Sequence, residues 1–173
     1  NQNTVFTGIA AYQGTSFNLS NTETPQRVPG LRVSANYFDV LGVKPELGRA
    51  FLPGEDVAGQ QQEVLLGDDL WRRNFAADPG IINREIAVNG QKYTVVGVMP
   101  REMSSLYRVV QMWSPLVFPE QDRANRGDHK YAVVGRIKPG VTLAHAREQM
   151  NTIAQRLEAQ YKNGRGVQLT QFE

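Results

Sequence analysis

Residues 70–100, LWRRNFAADPGIINREIAVNGQKYTVVGVMP, hold the reading on which the rest of the chain depends. At their centre Asn89-Gly90 suits the two positive-φ positions of a type I′ turn, the common two-residue loop of a β-hairpin. A turn there sets Val88 opposite Gln91, Ile86 opposite Tyr93 and Arg84 opposite Val95. Val88, Ile86, Tyr93 and Val95 then share one face, while Ala87, Lys92, Glu85 and Thr94 share the other. One apolar and one polar face is the pattern of a half-buried antiparallel pair.

Upstream, Asp68 is placed to cap a short helix on which Trp71 and Phe75 fall one turn apart. Asp78-Pro79-Gly80 is expected to end it, because Pro79 disfavours a helical Asp78 and Gly80 permits a turn. Trp71 and Phe75 read as core beside the hairpin; an anchor for a partner is the alternative. Glu63–Leu66 reads as a strand leading in.

Towards the amino terminus, residues 5–19 read as an extended segment with Gly14 as a bulge or bend. Asn18–Pro29 reads as a polar loop or exposed edge, and Leu31–Val33 as a short strand. Ser34 is predicted to cap a helix over Ala35–Leu41, with Asn36 and Phe38 in it. Gly42 is its expected positive-φ terminator, with Val43 folding back on Phe38 in a Schellman ending. Leu47, Phe51 and Leu52 supply apolar anchors around Gly48. The polar run 53–62 marks a first boundary.

Towards the carboxyl terminus, Met103–Val110 carries no clear period. Met112–Phe118 reads as an edge strand because of Pro115. Residues 119–128 mark a second boundary. Lys130–Lys138 reads as a strand with Tyr131, Val133 and Ile137 on one face, turned by Pro139-Gly140. Thr142 is expected to cap the longest helix, Leu143–Tyr161, whose apolar stripe runs Leu143, Ala146, Met150, Ile153, Leu157, Tyr161. Gly166–Phe172 reads as a last strand.

With 173 residues, 40% hydrophobic and 21% charged, the chain fits one domain or two small lobes with a shared core. Its net charge is +2, too small to argue for nucleic acid or an anionic surface. Residues 1–122 carry 10 basic and 13 acidic side chains; residues 123–173 carry 9 and 4. Without cysteine there are no disulfides or thiolate metal sites. No apolar run approaches the ~20 residues that span a bilayer. No secretory signal pattern is read, and the chain reads as a piece of a longer protein or a mature product.

The chemistry of catalysis is sparse. His129 and His145, the only histidines, have no second ligand at helical spacing. Neither a P-loop nor a dinucleotide-binding glycine pattern occurs. Ser34 reads as a cap and Ser104-Ser105 lacks a nucleophile elbow. Glu55-Asp56 and Asp68-Asp69 read as a solvated pair and a helix-start pair. Arg123, Arg126 and Lys130 form a small basic patch beside Tyr131, the candidate partner contact. No catalytic, cofactor or metal residue is assigned.

Three stretches taken in order resemble a known family. These are VSANYFDVLGVKPELGRAFLPGED, residues 70–100, and YAVVGRIKPGVTLAHAREQM. The marks are Asn36-Tyr37-Phe38, Leu41-Gly42, Gly48-Arg49, Leu70-Trp71, Phe75, Asp78-Pro79, Asn89-Gly90 and Val95-Val96-Gly97-Val98, with Gly140 and Thr142 following. Together they are similar to the periplasmic core domain of MacB-type ABC transporter permeases, in the FtsX/MacB-type family. The resemblance implies an α+β fold in two lobes. A porter-like α+β lobe is formed by both chain ends, residues 1–56 and 124–173. An inserted β-rich, sabre-like lobe with a short helix spans 57–123.

It further implies a non-catalytic extracytoplasmic domain that couples transmembrane-helix motion to efflux or extraction, with no cofactor. Its implied partners are the rest of its own membrane permease, a cytoplasmic ATPase and a periplasmic adaptor. The isolated domain is expected to be monomeric and the full protein dimeric. A stand-alone ligand-binding module, or a lipoprotein-release or cell-division member of the family, are the alternatives. The helix after Thr142 departs from a full capping box, since His145 stands where Glu or Gln would complete it.

Overall fold

The computed structural model describes residues 4–20, 25–103, 110–120, 122 and 130–161. Among them eight strands form one sheet. They are β1 (Phe6–Leu19), β2 (Gln26–Val33), β3 (Leu47–Gly48), β4 (Glu63–Gly67), β5 (Glu85–Val88), β6 (Gln91–Met99), β7 (Met112–Pro115) and β8 (Ala132–Ile137). Helices α1 (Tyr37–Leu41), α2 (Asp68–Phe75) and α3 (Leu143–Tyr161) accompany them among the described residues.

The hairpin takes the register its turn chemistry predicts. Glu85 pairs with Thr94, Ile86 with Tyr93, Ala87 with Lys92 and Val88 with Gln91. Asn89 and Gly90 hold φ of 52° and 75°. Ile86, Val88, Tyr93 and Val95 are buried. Past Val95 the strand bulges against β4, where Val64 faces Val95 but Leu65 faces Gly97. The extra residue, Val96, turns to the opposite face. From there β6 is apolar on both faces, which the hairpin pattern alone does not show.

Pairing runs β2-β7-β4-β6-β5-β1 and returns from β1 to β2, so six strands close a ring. The β5–β1 link is the shortest, a single bridge between Leu19 and Val88. Val28, Leu66, Ile86, Val88, Val95, Val98 and Met112 pack with Phe17 and Leu19 on one face. On the other face Leu31, Val33, Leu65, Val96 and Trp113 meet Tyr37, Phe38 and Phe51. The second cluster joins strands of residues 57–123 to α1 and β2 through one continuous core.

β1 outruns the ring. Its last eight residues pair with β2, and its first half pairs antiparallel with β8, from Phe6↔Ile137 to Tyr12↔Ala132. β8 and α3 thus form an arm on the amino-terminal half of β1.

Several local expectations are corrected. The region 26–29 is strand, not loop, and Val28 is fully buried, because β2 lies between β1 and β7. The bulge in β1 falls between Phe6 and Gly8, not at Gly14. β7 is central, between β2 and β4; Pro115 is tolerated because it is the strand's last residue. α1 begins at Tyr37 rather than Ala35. Asp68 is inside α2, whose cap position is Gly67. α2 stops at Ala76 and Ala77, with φ of 53° and 54°. Asp78 instead caps a 3-10 turn over Pro79–Ile81, accepting from the Gly80 N–H. In β8, Val133 is 64% exposed, and Val134 is the residue packed toward the core. The predicted last strand, Gly166–Phe172, lies outside the described residues.

Candidate functional site

The basic patch is only partly described, since Arg123 and Arg126 lie outside the described residues. Lys130 is not a free cation. Its Nζ pairs with Asp122 Oδ1 at 2.9 Å and lies 5.4 Å from the Tyr131 ring centre. The Tyr131 hydroxyl donates to the other Asp122 oxygen, and its ring meets Phe118 edge-on at 5.0 Å. Hydrogen bonds from Tyr131 first, then Lys130, hold the Asp122 carboxyl below its ordinary range. This is a small self-satisfied cluster at the base of β8.

Two joints organise the arm instead. At the first, the Thr4 N–H donates to Gln149 Oε1 at 3.2 Å, and Gln149 Nε2 bonds Thr4 Oγ1. Lys138 adds Nζ to the Thr4 carbonyl at 2.8 Å and its N–H to the Val5 carbonyl at 2.9 Å. The segment before β1 and helix α3 are therefore bound side by side, with Val5 and Ala146 buried. Thr142 Oγ1 accepts from the His145 N–H at 3.2 Å, capping α3. Gly140, at φ 81°, makes the turn that swings α3 back from β8.

At the second joint, α1 crosses the arm. Gly42 has φ 70°, its N–H bonds the Asp39 carbonyl, and the Val43 N–H bonds the Phe38 carbonyl. That is the Schellman ending. It leaves the Val40 carbonyl open, and Arg136 of β8 fills it with Nε at 2.7 Å. A Cβ on Gly42 would stand 2.7 Å from Arg136 Nη2, so φ calls for glycine here and any side chain would also displace the guanidinium. At its other end α1 is tied to β1: Asn36 Nδ2 donates to the Ile9 carbonyl, and its Oδ1 accepts from Ser34 Oγ. Phe38 meets Trp113 edge-on at 5.9 Å and Phe51 at 6.1 Å, carrying α1 onto the ring.

The remaining motif residues are structural. Gly48 and Gly97 pair where β3 crosses β6, and a Cβ on Gly97 would sit 2.5 Å from the Arg49 carbonyl. Trp71 and Phe75 are half-buried against the core; Trp71 Nε1 donates to the Asp78 carbonyl at 2.9 Å, holding the Pro79 turn. Asn89 also reaches β1.

Two charge networks flank the ring. Arg72 donates to Asp68 at 2.7 Å and lowers its pKa, while desolvation, then the hydrogen bond with Asp68, raise Glu46. Arg49 grips Glu55 through both guanidinium ends, at 3.0 and 2.7 Å. Glu63 nearby is raised by desolvation and then by Glu55. Among the described residues no group of three or more His, Cys, Asp or Glu could hold a metal, and no helix is long and apolar enough to cross a membrane. Sequence reasoning missed Arg136 and Gln149. Each joins segments far apart in the chain, and no local period marks such a contact.

A family model described as the MacB-like periplasmic core domain matches residues 2–153. The chain belongs to this family. It is a periplasmic domain of the ABC-permease type. The macrolide export ATP-binding/permease protein MacB of Neisseria gonorrhoeae is 31% identical over 105 residues, covering 59% of this chain and 16% of that protein. The MacB of Neisseria meningitidis serogroup B gives the same figures. The chain thus matches only a small part of these relatives. The extracellular domain of YknZ, a noncanonic ABC-type transporter from Gram-positive bacteria, shares the fold with a TM-score of 0.67 at 14% identity, over 96% of this chain and 82% of that one. The periplasmic region of MacB from Actinobacillus actinomycetemcomitans gives 0.62 at 18%, over 94% and 71%. The α+β class holds, and the marks carried by Asn36, Gly42, Gly48 and Gly97 have local physical reasons in the fold.

Proposed function

We propose that this MacB-like periplasmic core domain is a non-catalytic mechanical element of an ABC permease, coupling transmembrane-helix motion to efflux or extraction of a substrate. The clasp of Thr4 on Gln149 carries the reading: the segment before β1 and helix α3 cannot move apart without breaking it. The clasp favours their moving together. The partners are the rest of the permease, a cytoplasmic ATPase that does the hydrolysis, and a periplasmic adaptor, with the full protein a dimer and the isolated domain a monomer. The two-lobe division, 1–56 with 124–173 against 57–123, belongs to the same proposal. The shared core of α1 and Trp113 supports movement of those lobes together.

The gene around this chain tests the reading. It should encode apolar spans of about 20 residues on both sides. A complete gene with neither span would overturn it.

A further inference from the structure

We propose that Arg136 is a positioning residue that locks the β8–α3 arm onto α1, so that a displacement of the arm passes through α1 to the ring of strands. The proposal rests on the mechanical reading above and names the path within the domain.

Four residues converge on the lock. Gly8, paired with Arg136 across β1 and β8, carries no side chain, and a Cβ there would lie 3.0 Å from Val40 Cγ2. Val40 of α1 therefore settles directly on the ladder. Arg136 then reaches over the helix end to the Val40 carbonyl, where the Schellman turn leaves an acceptor unfilled and the helix dipole favours a cation. Gly42 keeps clear the space that the guanidinium occupies.

The lock has continuations on both sides. On the arm side, two residues along β8's exit, Lys138 holds Thr4 and Val5, and Gln149 of α3 holds Thr4. On the ring side Phe38, two residues before Val40, packs on Trp113 of β7 and on Phe51. Without Arg136 the arm would keep the β1 ladder and the packing of Val134 on the α1 cluster but lose its hydrogen bond to the end of α1, so its movement would be coupled to α1 more loosely. An arginine suits this place because its planar fork keeps a charge while bonding through Nε.

Amide hydrogen exchange of the 173-residue chain, wild type against Arg136→Met, tests the lock. Removing a charge-assisted hydrogen bond should speed exchange about tenfold. The acceleration should appear at Val43 and Gly42, and together with them at Lys138 and Thr4. Asn83 and Val95, whose N–H groups bond within the ring hairpin, should be unchanged. Arg136→Lys, which keeps a cation, should show the same pattern more weakly, and it replaces the methionine variant if that one fails to fold. Acceleration confined to Gly42 and Val43 would mean a local helix cap and would overturn the proposal. So would no change, or a uniform change that includes the ring amides. The outcome does not depend on which sequences flank the chain, so it fails or stands separately from the transporter reading.

Discussion

Asn18 and Asn89 clasp each other where the ring of strands closes. The Asn18 N–H donates to Asn89 Oδ1 at 2.9 Å, and the Asn89 N–H donates to the Asn18 carbonyl at 2.8 Å. Asn89 is also the first turn residue of the β5–β6 hairpin, at φ 52°. One side chain thus serves the hairpin and the weakest link of the ring. Asn89→Gly keeps the turn conformation and the backbone bond to the Asn18 carbonyl, and removes only the side-chain half of the clasp. It should cost about 1 kcal/mol by urea unfolding, one net hydrogen bond. Asn89→Asp, which keeps the acceptor, should cost less; equal losses would show that the side-chain bond contributes nothing.

Gly48 and Gly90 separate steric need from conformational need. Both have positive φ, 74° and 75°. A Cβ on Gly48 would lie 2.3 Å from the Val96 carbonyl oxygen, whereas one on Gly90 would meet nothing within 4 Å. Gly90→Ala should lose only the ~1 kcal/mol of an alanine in the left-handed region. Gly48→Ala should lose about 3 kcal/mol, because overpacking adds to that penalty. Similar midpoints for the two variants would contradict the close crossing of β3 over β6.

Ala76 and Ala77 end α2 in a conformation that favours glycine. Ala76→Gly should raise stability by roughly 0.5–1 kcal/mol, as relief of strain exceeds the added chain entropy. A lower melting midpoint would show that the left-handed alanines are not strained.

The hairpin, the Schellman ending of α1 and the cap of α3 are all legible in the sequence, because their chemistry is local. Asn89-Gly90, Gly42 and Thr142 each dictate the backbone within a few residues. The neighbours of β2 and β7 are not legible. Pro115 reads as an edge signal, yet it stands at a strand end, and the pairing of β7 with β2 on one side and β4 on the other makes it central. Asp68 reads as a cap from its place before an apolar run. In the fold it is one residue too far along, and Arg72 takes its carboxylate. The site was the least legible part: Arg136 looks like a solvent-facing strand residue until α1 is laid across β8.

Asp68 and Glu46 give the fold opposing pH responses. Asp68, held low mainly by its hydrogen bond to Arg72, stabilises the fold above its unfolded pKa. That contribution is lost as pH falls through the lowered folded value. Glu46, raised first by desolvation, contributes below its unfolded pKa and loses that contribution as pH rises through the raised folded value. Asp68→Asn should therefore be less stable than wild type near neutral pH, with the deficit narrowing in acid. Glu46→Gln should be the more stable protein near neutral pH, and its advantage should fade on acidification. Urea midpoints taken across the acid range decide both, and a deficit for Asp68→Asn that is constant with pH would contradict the ion pair.

The mechanical claim is tested most directly in the complete permease with its ATPase, by hydrogen exchange in nucleotide-free and nucleotide-locked states. The amides of Thr4 and Lys138, at the clasp between the start of β1 and α3, should change protection between the two states. An exchange pattern across this domain that is identical in both states would contradict the account.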